Sequence, residues 1–576
     1  MDNVTTLIMR RMRTPLIALI SAYSIAILGF SLIPGEAPDG TPDRMDFLHA
    51  FYFVSYMATT IGFGEIPHAF TPAQRLWASL CIYLTVIAWI YAIGSILALL
   101  QNEALQQVMA RRRFRRRVSS HKEPFYIVCG YGQTGSLVIH SMSRLHMKAV
   151  VVEQSRERVS ALQLESLGIP ALSADAARPG NLLDAGLKQP QCAGVLALNG
   201  EDQDNLTVAI AAKLINPKCP VIARANHSDV QANLASFGTD VILNPFEIFG
   251  ERLGLALRSQ ALHLASTWLA GMPGDRLPEP VMPPKGTWVI AGYGRFGRAV
   301  DKHLQFAGLP TRVIDNYLSD EEMFRGAITG RGTEAVTLRA ADIEEAVAVV
   351  AGTDDDSDNL SIIMTARDLN GGLFTVARQN RRDNTPMFEA ARLDVVMQPS
   401  QTLMGRIMPQ ITTPLLVEFL RGAQHKRAEW ANVLVSRLCA VTNDHVPEVW
   451  DQTLDASLPM LHQVLTGGHP VTISQLLWDP RTAQPVRDCL VLLLRQGGKD
   501  SLLPDGDRTL APNDRLLLCG TARARGRLRI LWSHPSLVHL MLFGRPHEQS
   551  LVWRALRRHW PSLRRAKRPA TGSPAR

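Results

Sequence analysis

The stretch Thr59-Thr60-Ile61-Gly62-Phe63-Gly64-Glu65 sets two closely spaced glycines between two uncharged runs. Pro15–Ile33 and Leu76–Leu100 carry no charge along their whole length. Crossing a bilayer takes about 20 apolar residues, so both runs qualify, the second with some tilt. A buried core helix rarely stays uncharged for as long as Leu76–Leu100 does. The segment just before the heptad, Met45–Ala58, is shorter. At about 1.5 Å per residue it reaches only about 21 Å and does not span.

Charge orients these pieces. Arg10, Arg11 and Arg13 precede the first run, and Arg111–Arg113 and Arg115–Arg117 follow the second. Basic residues stay on the cytoplasmic side, so both outer ends are expected there. The loop with Glu36, Asp39, Asp43 and Asp46 then lies outside. No small-residue cleavage site follows the first run and a second span does, which argues against a signal peptide.

The whole chain has 576 residues, 46% hydrophobic and 20% charged, with a net charge of +9. That length implies several domains. Its basic clusters flank apolar spans, which points to membrane anchoring and not to nucleic acid. A last cluster lies in the tail (Arg557, Arg558, Arg564, Arg565, Lys567, Arg568). The seven cysteines show no CxxC and no Cys/His metal spacing, as in a reducing compartment.

Irregular backbone at membrane depth is tolerated only where it lines a protein-enclosed pathway. Asp46 is placed to cap a short helix over Met45–Ala58, whose negative C-terminal dipole favours cations. Gly62 and Gly64 admit dihedrals closed to other residues, so successive carbonyls can point one way. Four copies around an axis would offer the carbonyls of Thr60, Ile61, Gly62 and Phe63, and the Thr60 hydroxyl, in place of an ion's hydration shell. Thr60-Ile61-Gly62-Phe63-Gly64 resembles the TVGYG selectivity filter of two-transmembrane potassium channels. Phe63 stands where the family has Tyr, and Glu65 where it has Asp. The resemblance also implies a gating hinge at Gly94, for which close helix packing is the alternative.

Phe125–Cys129 reads as a buried strand leading into Gly130-Tyr131-Gly132-Gln133-Thr134-Gly135 and then a helical pattern. The next strand, Ala149–Val152, ends at Glu153. A glycine turn, a helix N-terminus and an acid at the end of the second strand form the dinucleotide-binding arrangement. An acid here favours a free ribose hydroxyl, hence NAD or an adenine nucleotide. Further on come Ala174-Asp175, and Asp175 joins the candidate nucleotide residues. A nucleotide fold without its ligand is the alternative.

The pattern recurs. Trp288–Ala291 leads into Gly292-Tyr293-Gly294-Arg295-Phe296-Gly297, and Arg312–Ile314 ends at Asp315. The interval from Gly292 to Asp315 equals that from Gly130 to Glu153. Asp204-Asn205-Leu206 returns as Asp358-Asn359-Leu360, and Ile222-Ala223-Arg224 as Val376-Ala377-Arg378, both offset by 154. This is an internal duplication. Arg295 and Arg298 are candidates for phosphate. Asp354, Asp355, Asp356 and Asp358 offer hard oxygens of the kind Ca²⁺ or Mg²⁺ takes, but without EF-hand spacing the favoured reading is a solvated acidic loop. No catalytic grouping stands out beside either cleft.

Alternating strands and helices in both units resemble the RCK domain (regulator of K⁺ conductance). The expected fold is thus a membrane α-helical pore domain, two transmembrane helices with a re-entrant loop, followed by two Rossmann-like α/β RCK domains and a small α+β C-lobe. The expected bounds are a pore domain over 1–101, a basic linker over 102–123 and the first RCK unit over 124–272. A proline-rich linker over 273–285, the second unit over 286–422, the C-lobe over 423–525 and a helix with basic tail over 526–576 complete the chain. Phe246–Leu269 and Leu403–Leu420 are expected as long helices, and Leu531–Phe543 as an added one. The resemblance implies a homotetramer in the inner (plasma) membrane, with eight RCK units in a gating ring that bind a regulatory nucleotide and act on a K⁺ pore. The alternatives are a nonselective cation channel, a membrane-anchored NAD-dependent oxidoreductase, and a binding subunit of a potassium uptake transporter.

Overall fold

The computed structural model describes residues 2–38, 40–277, 280–319, 326–442 and 444–544, with the backbone alone at 2–8, 11 and 104. Asp39, the Arg11 side chain and the basic tail from 545 onward lie outside the described residues. The chain divides into two compact units, 1–121 and 122–576.

The first unit begins with α1 (Asp2–Leu32) and a short antiparallel hairpin, β1 (Pro34–Glu36) with β2 (Pro42–Arg44). Next come α2 (Phe47–Ala58) and α3 (Pro72–Leu100). Met12–Leu32 and Pro72–Leu100 are long and apolar enough to span a membrane. Asp46 caps α2 by accepting from the His49 N–H at 2.8 Å. Thr71 and Gln74 form a reciprocal capping box that starts α3 after the heptad. The core of the unit is aromatic: Phe30, Phe53, Tyr56 and Phe70 pack together, with Phe30 on Phe53 at 4.8 Å between ring centres. Gly29 is required here, because a Cβ would lie 2.1 Å from the Trp77 ring.

The basic linker expected over 102–123 takes the form of a helix, α4 (Glu103–Ser119). Asn102 caps it, and nothing in its sequence breaks it, since it holds neither Gly nor Pro.

The second unit holds two parallel six-stranded sheets. The first contains β3 (Phe125–Cys129), β4 (Lys148–Glu153), β5 (Ala171–Ser173), β6 (Cys192–Ala197), β7 (Val221–Arg224) and β8 (Val241–Leu243), in the order β5-β4-β3-β6-β7-β8. The second repeats it with β9 (Trp288–Ala291), β10 (Thr311–Asp315), β11 (Ile328–Thr329), β12 (Ala348–Ala351), β13 (Phe374–Arg378) and β14 (Val395–Met397), ordered β11-β10-β9-β12-β13-β14. The chain reverses beside the central strand in each, so a crevice opens at the C-terminal ends of β3 and β9. Register follows the duplication: Val195 lies opposite Val221, and Val349 opposite Thr375.

Both long helices expected from the sequence are broken. Pro245–Arg258 and Gln260–Ala270 meet at Ser259 (φ −150°, ψ 91°). Pro399–Thr412 and Pro414–Ala423 meet at Thr413 (φ −147°, ψ 69°). Positions 259 and 413 are again offset by 154, so the break belongs to the repeated unit. The stretch expected as one helix over Leu531–Phe543 is also divided, into Ala522–Ser533 and Pro535–Phe543. Pro535 has no N–H to continue the first.

The proline-rich connection is tied down at its start. The Gly274 N–H donates to the Val446 carbonyl at 3.0 Å, and the Val446 N–H to the Asp275 carbonyl at 2.8 Å. An antiparallel sheet of Glu448–Thr453, Arg515–Gly520, Cys489–Gln496 and Lys499–Leu502 follows. Its Leu492, Leu493 and Leu517 share a core with Trp268, Leu269, Leu416 and Phe419.

Candidate functional site

The heptad leaves α2 through a change of backbone handedness. Thr60, Gly62 and Gly64 have φ of 61°, 67° and 100°, while Ile61 and Phe63 between them are not left-handed. Alternating right- and left-handed residues turn successive N–H groups to one side and carbonyls to the other. A non-glycine residue at positive φ, as at Thr60, costs roughly 1 kcal/mol or more and persists only where its surroundings impose it. The surroundings are visible: the Thr60 N–H donates to Met57 at 3.1 Å and the Ile61 N–H to Tyr56 at 2.9 Å. Among the described residues, the carbonyls of Thr60, Ile61, Gly62 and Phe63 accept no hydrogen bond.

Two braces hold this segment from outside, and sequence reasoning missed both. The Tyr56 hydroxyl donates to the Gly64 carbonyl. Glu65 accepts from Arg75 Nε at 2.8 Å and Arg75 Nη2 at 3.1 Å, and from the Phe70 N–H at 2.8 Å. The short chain distance from Tyr56 to Phe63 is the only sequence signal for the first brace. Gly94 lies within α3, and a Cβ there meets nothing within 4 Å, so close packing inside the chain does not explain it.

The two glycine loops are built alike. Gly130 (φ 96°) and Gly292 (φ 95°) make the turn, and a Cβ there would press on Asn199 at 2.9 Å or Thr353 at 2.8 Å. At Gly135 and Gly297 a Cβ would stand 1.9 and 2.1 Å from the carbonyl oxygens of Gly130 and Gly292. The middle glycines are different. Gly132 faces only Arg158 at 3.8 Å, and Gly294 faces nothing within 4 Å. The open side of each loop is therefore the side where a phosphate would approach the helix N-terminus.

Both acids close onto their own loops. Glu153 is buried and accepts the Tyr131 N–H at 2.5 Å and the Ser155 N–H at 2.8 Å, with Arg158 at 3.7 Å. Asp315 accepts the Tyr293 N–H at 2.5 Å and the Tyr317 N–H at 2.8 Å. Asp175 accepts the Ala177 N–H at 2.8 Å and faces Arg178 at 3.4 Å.

Several predicted contacts are redirected. Phe296 is fully buried against Phe246 and Phe249, and Thr134 is buried in the first unit, so neither side chain lines a cleft. Arg295 turns away from its own loop. Its Nη1 lies 3.1 Å from His227 Nε2 of the first sheet's unit, and its guanidinium 5.8 Å from the Phe246 ring. Arg378 stacks on the same ring at 4.9 Å. Burial, then the nearby Arg295 charge, pushes Arg378 down to about 10. Gln133, the matching residue of the first loop, reaches the Asn380 carbonyl at 3.5 Å. Each loop thus touches the strand-end loop of the other repeat. Arg298 lies over the Tyr293 ring at 5.5 Å.

The acidic run is occupied by backbone. Asp355 caps a helix through the Ser357 and Asp358 N–H groups, and Asp356 accepts from the Asn380 and Arg381 N–H groups. Among the described residues no group of three or more His, Cys, Asp or Glu converges to hold a metal.

Residues 16–102 match the family described as ion channel, and residues 126–245 and 288–399 each match the TrkA-N domain. An uncharacterized protein of Methanothermus fervidus is 27% identical over 202 residues, 35% of this chain and 31% of that protein. Potassium channel protein 1 of Methanocaldococcus jannaschii is 22% identical over 213 residues, 36% of this chain and 62% of that protein. The chain thus spans less than two thirds of either relative. A solved structure of the GsuK channel bound to NAD aligns over 92% of this chain and 99% of that one, at 17% identity and a TM-score of 0.46.

Proposed function

We propose that this chain, which belongs to the ion channels carrying tandem TrkA-N (RCK) domains, is the subunit of a nucleotide-gated potassium channel. The observation that carries the reading is the alternation of backbone handedness at Thr60, Gly62 and Gly64, with carbonyls that accept no hydrogen bond among the described residues. Four such segments around an axis replace the hydration shell of K⁺ with a column of oxygens. The selectivity filter is Thr60-Ile61-Gly62-Phe63-Gly64, and a tetramer brings eight RCK units into one ring. Both termini are cytoplasmic, set by Arg10, Arg13 and the arginines of α4. Gly94 is the hinge of α3.

The ligand is NAD or an adenine nucleotide. Its phosphates sit at the open sides of Gly132 and Gly294, and its ribose hydroxyls at Glu153 and Asp315. The chain performs no catalysis. About tenfold tighter binding to one gate state is worth ~1.4 kcal/mol per site, and four sites reach the ~5.5 kcal/mol that inverts a 1:99 equilibrium. Helix α4 transmits the change to α3.

The test is K⁺ flux from liposomes holding the full chain, with and without NAD⁺, NADH, ADP and ATP. Ligand-dependent flux that Glu153→Ala or Asp315→Ala shifts to higher ligand concentration is expected. Flux indifferent to every nucleotide would contradict the gating.

A further inference from the structure

Two cysteines far apart in sequence meet at one end of the first sheet. Cys192 opens β6, and Cys219 lies two residues before β7. The parallel pairing of Val195 with Val221 draws both cysteines to the same edge. Their Sγ atoms are 3.8 Å apart, and both are free thiols. Cys219 is buried and Cys192 half-buried. Lys213 reaches the Cys219 carbonyl at 3.1 Å and Asp240 at 2.6 Å.

The duplication supplies an internal comparison. At the same offset of 154 the second repeat carries Ala346 and Leu373, both buried in its core. The fold therefore needs no sulfur pair at this place. We infer that Cys192 and Cys219 form a reversible, peroxide-sensitive dithiol site in the first RCK unit.

The geometry and local charge both suit this chemistry. Bond formation takes the sulfurs from 3.8 Å to about 2.05 Å. The hydrogen bond from the Cys192 thiol draws Cys219 below the usual thiol range, and the Lys213 ammonium assists against burial. The Cys219 thiolate attacks one oxygen of hydrogen peroxide, the O–O bond breaks, and hydroxide leaves a sulfenic acid on Cys219. Cys192 Sγ then attacks Cys219 Sγ, the S–O bond breaks, and the departing hydroxide takes the Cys192 proton as water. Overall two thiols lose two electrons and one peroxide becomes two waters.

The closed loop would contain the helix Asp202–Ile215. Asp202 at its start accepts the Asn226 N–H at 2.8 Å and the His227 N–H at 2.9 Å, and His227 meets Arg295 of the second repeat. Oxidation thus ties down the helix whose Asp202 holds the Asn226–His227 turn that meets the second repeat.

The test uses the full chain in lipid, treated with hydrogen peroxide, alkylated under denaturing conditions, digested and read by mass spectrometry. The expected product is a Cys192–Cys219 linked peptide lighter by two hydrogens. Dithiothreitol should reverse it, Cys129→Ala should leave it, and Cys192→Ala should abolish it. Full alkylation of both cysteines after peroxide would overturn the inference. So would a link from Cys192 to Cys129, or sulfinic acid at Cys219 without any link.

Discussion

The Tyr56 hydroxyl donates to the carbonyl of Gly64, and the Tyr56 ring meets Phe63 edge-on at 5.4 Å. A residue of the short helix α2 thereby supplies a hydroxyl brace to a segment whose own aromatic residue has none. The presence of Phe at position 63 leaves the proposed filter supported from behind.

Tyr56→Phe keeps the ring and removes the bond. A hydrogen bond is worth about 1 kcal/mol net, or roughly fivefold in an equilibrium. We expect a folded protein whose preference for K⁺ over Na⁺ falls about fivefold, read as a shift in reversal potential. An unchanged preference would assign the support of Gly64 elsewhere.

Glu153→Ala leaves the N–H groups of Tyr131 and Ser155 without their acceptor. Such a loss costs about 1–3 kcal/mol. Nucleotide affinity at the first cleft should fall at least tenfold by calorimetry, while Glu153→Gln, which keeps an acceptor oxygen, should lose less. Equal affinity in Glu153→Ala would move the site away from this acid.

Asn205 and Asn359 explain why the duplicated Asp-Asn-Leu persists. Asn205 is buried and bonds the Asn199 N–H at 2.8 Å and the Arg224 carbonyl at 3.1 Å. Asn359 bonds the Thr353 N–H at 2.8 Å and the Arg378 carbonyl at 2.8 Å. Each pins a strand-end loop to its neighbour. Asn205→Ala and Asn359→Ala should each lower stability by about 1–3 kcal/mol and lower the unfolding midpoint, with nearly additive effects in the double variant. A midpoint equal to that of the unmodified protein would contradict the pinning role.

Burial, then the neighbouring Arg252 charge, pushes His263 down to about 4. The folded state therefore resists a proton that the unfolded chain accepts near pH 6.5. Stability from this group is fully present above about pH 6.5 and lost as pH falls toward 4. Denaturation midpoints followed from about pH 7 to pH 4 should fall less in His263→Gln than in the unmodified protein. Parallel curves would show that His263 titrates alike in both states.

Much of this was legible in local pattern. The two spans, the glycine pair of the heptad, the Asp46 cap and both glycine turns rest on residues adjacent in sequence, where spacing and dihedral freedom decide. Arg295 departs from expectation because its direction depends on how the second repeat packs on His227, far away along the chain. Phe296 sits inside the glycine motif, yet hydrophobic burial against Phe246 and Phe249 decides its place. Pro414 marks the break at Thr413, and the duplication carries that break to Ser259, where no proline or glycine announces it. The helical form of the linker at 103–119 went unread beside the six arginines between 111 and 117, although its cap and lack of Gly and Pro are helical.

Potassium selectivity is tested most directly in a planar bilayer containing the full chain, with KCl on one side, NaCl on the other and each nucleotide added in turn. Each tenfold preference for K⁺ displaces the reversal potential by about 59 mV. A displacement of at least that size toward the K⁺ equilibrium, abolished with the alternation by Gly62→Ala, is the expected result. A reversal potential at zero with robust current would mean that Na⁺ and K⁺ pass alike, and would contradict the carbonyl filter at Thr60–Gly64.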